Sequence, residues 1–202
     1  MSEVTTIQVG QMVPDFTMET YLPSKKDFGS FSLAEAKKAG KWTVLVFYPA
    51  DFTFVCATEF AALAGQHAAL EAMGVSVLSV STDTKFTHLA WQREEGELAA
   101  VKYSMAADPT GKVSRLFGVY NEANGLDFRG TFIINPSGVL VGAEVNVNNV
   151  GRNMEELVRK VKAFQYVAAH GDEVCPANWS EGAKTLKPNA KLVGRVSQAL
   201  KG

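Results

Sequence analysis

The stretch "FYPADFTFVCATEF", residues 47–60, decides how this chain is read. It opens at the end of "WTVLVFYP" (42–49), an apolar, β-branched run bounded by Gly40-Lys41 and Pro49, which reads as a buried strand. It closes in "ATEFAALAGQHAALEAMG" (57–74), where Phe60, Leu63, Ala64 and His67 fall at helical spacing and Gly74 is a natural C-cap. Cys56 stands where the strand segment gives way to the helix, in the first turn of the latter. The first N–H groups of a helix lack internal partners and the macrodipole places partial positive charge there, so thiolate is favoured over thiol. Thr53, one turn earlier, can offer a hydroxyl to the same spot, and Pro49 stiffens the loop and presents a ring that keeps water off. These three residues describe an activated nucleophile with a donor beside it. Thr53 as a plain helix cap and Cys56 as a small core residue remain open on local grounds.

Outward from this stretch, "VSVLSVS" (75–81) is a second buried strand, and "DTKFTHLAWQREEG" (83–96) reads as a helix opened by an aspartate cap. "MAADPTGKVSRLFGV" (105–119) gives a short strand end, a turn at Asp108-Pro109 and a short helix. "GTFIINPSGVLVGAEVNV" (130–147) is a hairpin joined at Asn135-Pro136-Ser137-Gly138. "NMEELVRKVKAFQYVAAHG" (153–171) is an amphipathic helix with Met154, Leu157, Val158, Val161, Phe164, Tyr166 and Val167 on its apolar side. Alternating strands and helices predict an α/β sandwich around a central mixed sheet. After residue 171 the pattern breaks, with Pro176, Pro188 and scattered apolar residues, so 1–171 reads as the domain and 172–202 as a C-terminal arm.

Composition narrows the classes. The 202 residues are 47% hydrophobic and 20% charged, long enough to bury one substantial core. Twenty basic against 21 acidic residues give no footprint for nucleic acid. No run approaches the roughly 20 apolar residues that span a bilayer, and "MSEVTTIQVGQMVPDF" lacks the basic and apolar regions of a secretory signal, so a cytoplasmic protein is expected. The two cysteines, Cys56 and Cys175, form no C-x-x-C. In a reducing compartment a functional pair would be transient and catalytic rather than a permanent bridge. Three histidines and two cysteines supply no ligand set at metal spacing, and neither metal nor cofactor is expected.

"PADFTFVC" has the form P-x-x-x-T-x-x-C, and the extended "FYPADFTFVCATE" resembles the active-site motif of the typical two-cysteine peroxiredoxins. "STDTKFTHLAW" (81–91), "RGTFIINPSG" (129–138), "VGRN" (150–153) and "GDEVCPANW" (171–179) follow in that family's order and spacing. The resemblance runs from about residue 8 into the tail and is closest to the branch that forms the peroxidase component of bacterial alkyl hydroperoxide reductase. One departure lies inside the motif: Ala57 stands where the family usually has proline or threonine, a change expected to alter the stiffness of the turn more than its chemistry.

The resemblance implies a thioredoxin-like fold and a thiol peroxidase acting on hydrogen peroxide and organic hydroperoxides. Cys56 matches the peroxidatic cysteine, which becomes a sulfenic acid, and Thr53 the residue that hydrogen-bonds the peroxide. Arg129 matches the arginine that keeps the thiolate ionised. Glu59 and Arg152 match the pair that orients that arginine, and Trp91 a tryptophan packed nearby. Cys175 matches the resolving cysteine, which in this branch forms a disulfide with Cys56 of the partner subunit in an antiparallel homodimer, once the first turn around Cys56 unwinds. Five dimers assemble into a decamer in the family, with Phe86 and Thr87 at the contact between dimers. A flavoprotein disulfide reductase or thioredoxin would reopen the bridge. "EEGELAAVKY" replaces the Gly-Gly-Leu-Gly of over-oxidation-sensitive relatives and "RVSQALKG" has no Tyr-Phe pair, so resistance to over-oxidation is expected.

Two other classes stand beside this one. A cysteine hydrolase would need a histidine near Cys56. His67 lies about three turns along the helix, His170 sits at a helix end, and His88 has no catalytic role in the motif. A non-enzymatic reading is an oligomeric, redox-dependent holdase chaperone or a redox relay. It would keep its protective effect when Cys56 is replaced by serine.

Overall fold

The computed structural model describes residues 6–201. Its elements in chain order are β1 (Thr17–Leu22), β2 (Asp27–Ser32), α1 (Leu33–Lys38), β3 (Trp42–Phe47), α2 (Phe54–Ala72), β4 (Val75–Ser81), α3 (Lys85–Glu94), β5 (Ser104–Ala107), α4 (Lys112–Leu116), β6 (Tyr120–Asn121), β7 (Leu126–Asp127), β8 (Arg129–Ile134), β9 (Leu140–Asn146), α5 (Met154–Ala169) and α6 (Val196–Lys201). They fall into two compact units, residues 1–154 and 155–202.

The first unit is built on a seven-stranded sheet in the order β2-β1-β5-β4-β3-β8-β9. β3, β4 and β5 run parallel, and the strands outside them pair antiparallel. The parallel centre explains why 42–47 and 75–81 read as unbroken apolar runs, since crossover helices cover such strands on both faces. Alternate residues then serve opposite faces. Leu45 and Phe47 enter one cluster with Leu78, Val80, Phe132 and Ile134. Tyr48, one step further, joins Phe60 and Trp91, its ring 4.8 Å and 6.0 Å from theirs.

The expected hairpin at 135–138 is present: the Gly138 N–H donates to the Asn135 carbonyl at 2.8 Å, with Gly138 at φ 87°. The Asp108 turn is closed by the Gly111 N–H at 2.8 Å. α2 starts at Phe54, so Cys56, its third residue, lies in the first turn as expected, three residues ahead of the alanine-rich run. Other details differ from the sequence reading. β1, β2 and α1 form an N-terminal hairpin and helix that the weak alternation of "TMETYL" and "DFGSFS" did not announce. The cap of α3 is Thr84, whose side chain accepts from the Thr87 N–H, and not Asp83. The Asp83 carboxylate is taken instead by the Asp51 N–H at 2.9 Å and the Ser81 hydroxyl at 2.8 Å.

The second unit holds nearly all of α5 and the segment that follows it. Val174 and Leu186 pair backbone to backbone, and Trp179 is buried with its ring 5.2 Å from that of Tyr166. The Tyr166 hydroxyl donates to Glu173 at 2.7 Å.

Candidate active site

The chain leaves β3 through Tyr48 and buried Pro49 into a loop that a polar cluster holds in place. The Tyr48 hydroxyl donates to Asp51 Oδ1 at 2.6 Å, and His88 Nδ1 lies 2.8 Å from Asp51 Oδ2. His88 Nε2 lies 3.1 Å from the Ala106 carbonyl, which can only accept, so Nε2 carries a hydrogen and the Asp51–His88 pair shares one more proton. Burial raises the Asp51 carboxyl above the usual range, while the His88 contact pulls it back. This cluster ties the loop to α3 and β5. It accounts for His88 without a hydrolase, since its ring is fully buried and both nitrogens are engaged inside the fold.

Phe52 follows at φ 57°, a left-handed backbone that costs a bulky residue about 1–2 kcal/mol. Thr53 then occupies the N-cap position of α2 by its backbone angles, but its side chain makes no cap bond. Its hydroxyl donates to the Ala50 carbonyl at 2.8 Å, which closes the loop on itself and leaves the oxygen's lone pairs as acceptors. The first turn of α2 contains no acidic residue, so no side-chain anion competes at the helix end that carries Cys56.

Cys56 is fully buried. Arg129, at the start of β8, directs Nη1 to Cys56 Sγ at 3.3 Å and to Glu59 Oε2 at 2.6 Å, while its Nε donates to the Asn148 carbonyl at 2.9 Å. Arg152 grips the same Glu59 carboxylate from the other side. Its backbone N and Nε each reach Oε1 at 2.8 Å, and Nη2 reaches Oε2 at 2.9 Å. Arg152 Nη1 is fixed in turn by the Gly130 carbonyl at 2.8 Å. Burial would raise the Glu59 carboxyl, but the hydrogen bonds and charge of Arg152, with Arg129 beyond, outweigh it and hold the group below the usual range. Two guanidinium groups around one carboxylate leave one positive charge over, in a place nearly closed to water. The sulfur of Cys56 faces that surplus, so negative charge gathering there is met by a fixed donor.

Trp91 is buried against Phe60 at 4.8 Å and lies 6.3 Å from Phe52, which places it behind the active loop as a packing residue. Over the outer side of the same turn lies an open recess of about 480 Å3 lined by Phe52, Thr53, Phe54 and Ala57, with Glu95 and Glu97 at its edge. Phe86, exposed on α3, stacks edge-on against Phe28 at 5.1 Å, with Lys85 Nζ 5.4 Å from the Phe28 ring. Thr87 bonds back to Thr84, with 2.9 Å between the hydroxyl oxygens.

Cys175 belongs to the second unit and is half-buried. Its only hydrogen-bond contact among the described residues is a weak one to the Ala163 carbonyl at 3.9 Å. Burial raises its thiol above the ordinary value, Arg159 opposes this, and Glu173 adds to it. Arg159 is itself engaged by Glu156 at 2.6 Å and by the Trp179 carbonyl at 2.7 Å, and so braces the turn that carries Cys175. Beside the thiol is an open recess of about 410 Å3, floored by Ala163, Phe164 and Val167.

Cys56, Glu59, Arg129 and Arg152 are therefore brought into one cluster. Thr53 closes the loop just before the helix turn that carries Cys56, Pro49 is buried at the entry to that loop, and Trp91 packs against Phe60 and Phe52. Residues 9–143 match the model of the AhpC/TSA family, and residues 163–198 match that of the C-terminal domain of 1-Cys peroxiredoxin. The chain belongs to the AhpC/TSA family. Among relatives, Alkyl hydroperoxide reductase C of Staphylococcus saprophyticus is 45% identical over 93% of this chain and 98% of its own length. The protein of the same name from Amphibacillus xylanus is 46% identical over the same shares. Among solved structures, the reduced 2-Cys peroxiredoxin of Plasmodium vivax has a TM-score of 0.85 at 32% identity, covering 92% of this chain and 98% of that one. Enterococcus faecalis AhpC has a TM-score of 0.78 at 42% identity over 83% and 98%. The thioredoxin-like α/β fold expected from the motifs is thus the AhpC/TSA fold. Although the C-terminal match carries a one-cysteine name, this AhpC/TSA chain has a second cysteine, Cys175, inside the matched residues.

Sequence reasoning missed Tyr48, Asp51 and Asn148, and gave His88 no part in the site. Asp51 lies within the quoted motif, but its burial and its pairing with His88 appear only in the packed structure. Asn148 contributes only its carbonyl, which residue identity does not reveal.

Proposed function

We propose that the chain is a thiol-dependent peroxidase that reduces hydrogen peroxide and organic hydroperoxides. The observation that carries this is the 3.3 Å approach of Arg129 Nη1 to Cys56 Sγ inside an otherwise satisfied, buried charge cluster. The Cys56 thiolate attacks the terminal oxygen of the peroxide, the O–O bond breaks, and the leaving oxygen takes a proton to become water or an alcohol. Sulfur is oxidised by two electrons to a sulfenic acid. Charge spreads over sulfur and both oxygens in the transition state, and Arg129 is the donor already in place, with Thr53 beside it to bind the peroxide once its hydroxyl turns from Ala50. Glu59 and Arg152 act by holding Arg129 in orientation. Pro49 shields the sulfur.

Cys175 of a partner subunit then attacks the sulfenic sulfur, an S–S bond forms, and the hydroxyl leaves as water. The first turn of α2 unwinds to let the sulfurs meet, because a disulfide tolerates only a narrow geometry. Residues 172–202 serve as the arm that presents Cys175. A reductase with a reactive dithiol, a flavoprotein or thioredoxin, returns two electrons per cycle. The chain works as a homodimer that assembles into a decamer through the face carrying Phe86 and Thr87. Both cysteines are unpaired, which suits a reducing cytoplasm, and no helix among the described residues is long and apolar enough to cross a membrane.

The test is stoichiometric peroxide followed by non-reducing electrophoresis and peptide mass spectrometry. A Cys56–Cys175 link between two chains is expected. Peroxide that leaves Cys56 as a free thiol refutes the peroxidase, and a Cys56 oxidised without the link refutes the resolving role alone.

A further inference from the structure

Away from Cys56, the first unit buries two carboxylic acids on either side of one hydroxyl. Ser114 Oγ lies 2.9 Å from Asp108 Oδ2 and 2.9 Å from Asp127 Oδ2. Asp127 and Ser114 are fully buried and Asp108 nearly so. A serine hydroxyl has one hydrogen and can satisfy one of the two oxygens. If both acids were anions, the other would face a lone pair at contact distance.

The backbone decides which acid is ionised. Asp108 Oδ1 accepts the Lys112 N–H at 3.0 Å and Oδ2 accepts the Ser114 N–H at 2.7 Å, so each oxygen receives an amide donor as a carboxylate requires. Asp127 receives no amide N–H, and its Oδ1 has no hydrogen-bond partner among the described residues. An anion with one oxygen bare in a dry interior is costly, whereas a neutral acid is tolerated. The hydrogen count therefore runs from Asp127 Oδ2–H to Ser114 Oγ, and from Ser114 O–H to Asp108 Oδ2.

We propose that Asp127 carries a proton in the folded chain and that this proton is a removable pin between the β6–β7 hairpin and the start of α4. Asp127 ends β7 and Ser114 lies on α4, so the relay is the buried link between two elements that Arg115 also joins at the surface, through Glu122 at 2.6 Å and the Tyr120 ring at 3.8 Å. The charges facing Asp127 agree with this. Asp108 in the turn before α4 and Asp83 after β4 disfavour a second anion, and the cation that opposes them, Arg115 on α4, is committed to Glu122 at 2.6 Å and to the Thr110 carbonyl at 2.8 Å. Burial first, with these two acids, outweighs the opposing Ser114 contact and the Arg115 charge and pushes the Asp127 carboxyl from 3.8 up to about 7. Because the folded value lies above the unfolded one, the contribution to stability is complete below the unfolded value and is lost as pH rises through about 7. Above that point the relay carries two anions and one hydrogen, and the hairpin loosens from α4. None of this rests on the peroxidase reading.

The test is carboxyl-carbon NMR of the full-length protein labelled at aspartate 13Cγ, titrated from about pH 5 to about pH 9, a range in which ordinary aspartates are already ionised. One aspartate resonance titrating near neutrality, assigned through its own β-protons and missing in Asp127→Asn, is the expected result. Amide exchange, corrected for its intrinsic pH dependence, should show Leu126, Asp127 and the first turn of α4 losing about tenfold in protection across the same range, the worth of one good hydrogen bond. In Asp127→Asn the amide can donate to Ser114 at every pH, and protection stays flat. Every aspartate ionised at the lowest pH, or unchanged hairpin protection in the unmutated protein, overturns the proposal. The unmutated protein supplies both readouts if the variant does not fold.

Discussion

The two cysteines occupy opposite kinds of surroundings. Cys56 is enclosed, one contact away from a guanidinium that is anchored by a carboxylate and a carbonyl, the carboxylate itself fixed by a second guanidinium and its backbone N–H. Cys175 has one long contact to a carbonyl, an open recess beside it and a thiol that burial raises. The first arrangement stabilises charge at a defined point and suits a sulfur that must attack. The second leaves a thiol accessible on a braced turn and suits a sulfur that must meet something arriving. The difference lies in preorganisation rather than in the mere presence of a cation, since Arg159 acts on Cys175 through its charge while its donors serve Glu156 and the Trp179 carbonyl, whereas Arg129 aims a donor at Cys56.

The largest effect belongs to the sulfurs themselves. Cys56→Ser lowers peroxide consumption by roughly three orders of magnitude or more, since no other group can take over its step. Cys175→Ser keeps a first turnover at an undiminished rate and then stops, with a sulfenic acid trapped at Cys56. Stopped-flow fluorescence with mass spectrometry reads both. Equal loss of the first turnover in the two variants would erase the contrast.

Next comes the anchor. Glu59→Gln removes the one anion between two buried cations and turns an amide N–H toward a guanidinium, a change that costs about 3–5 kcal/mol in folding stability. Urea midpoints measure it. The same carboxyl gives a pH signature: its folded value is depressed, so its contribution is present above the unfolded value near 4.5 and is lost as pH falls through the folded value. The unmutated protein therefore weakens in that acid window and the variant, already lacking the charge, weakens less. A variant as stable as the parent would show that the cluster is not what holds this turn.

Arg129→Lys separates charge from geometry. A lysine keeps the positive charge but cannot serve Cys56, Glu59 and the Asn148 carbonyl at once, so the rate of Cys56 oxidation falls by about a hundredfold, the worth of one preorganised donor. Arg159→Lys, by the contrast drawn above, changes the rate of alkylation of Cys175 by no more than about threefold. Similar losses at the two positions would mean that proximity of charge alone sets the reactivity.

The sequence carried the local part of this picture well and the long-range part poorly. Strand, turn and helix around Pro49, Thr53 and Cys56 follow from composition and period, because those signals act over a few residues. Glu59, Arg129 and Arg152 meet across the sheet, and no periodicity links positions so far apart; only the motif resemblance singled them out. The α3 cap was misplaced because Asp83 and Thr84 are both good caps side by side, and the choice is made by Asp51, which claims the Asp83 carboxylate from another loop. His88 sits in an apolar context that suggests core, and its partner Asp51 is visible only once β3 and α3 are packed together.

The smallest effect concerns the turn that has to move. The Ala57 N–H donates to the Thr53 carbonyl at 3.4 Å, a long bond, so the first turn of α2 is weakly closed at the residue after Cys56. Ala57→Pro deletes that bond and crowds the same carbonyl, which destabilises the folded turn. It also narrows the unfolded ensemble, which stabilises the fold by about 0.4–1 kcal/mol. The bond lost is already long, so the first contribution is smaller than in a helix interior but still the larger of the two. The melting temperature therefore falls by a few degrees, about the shift that 1 kcal/mol produces in a domain of this size. Kinetics resolve what stability does not. Attack by peroxide depends on the closed turn and keeps its rate, whereas disulfide formation depends on the open turn, and proline shifts the balance between them by less than about fivefold. Rapid-quench measurement of the two steps in parent and variant detects a change of that size. A slowed first step would mean that the alanine serves the chemistry at Cys56 and not the opening of the turn.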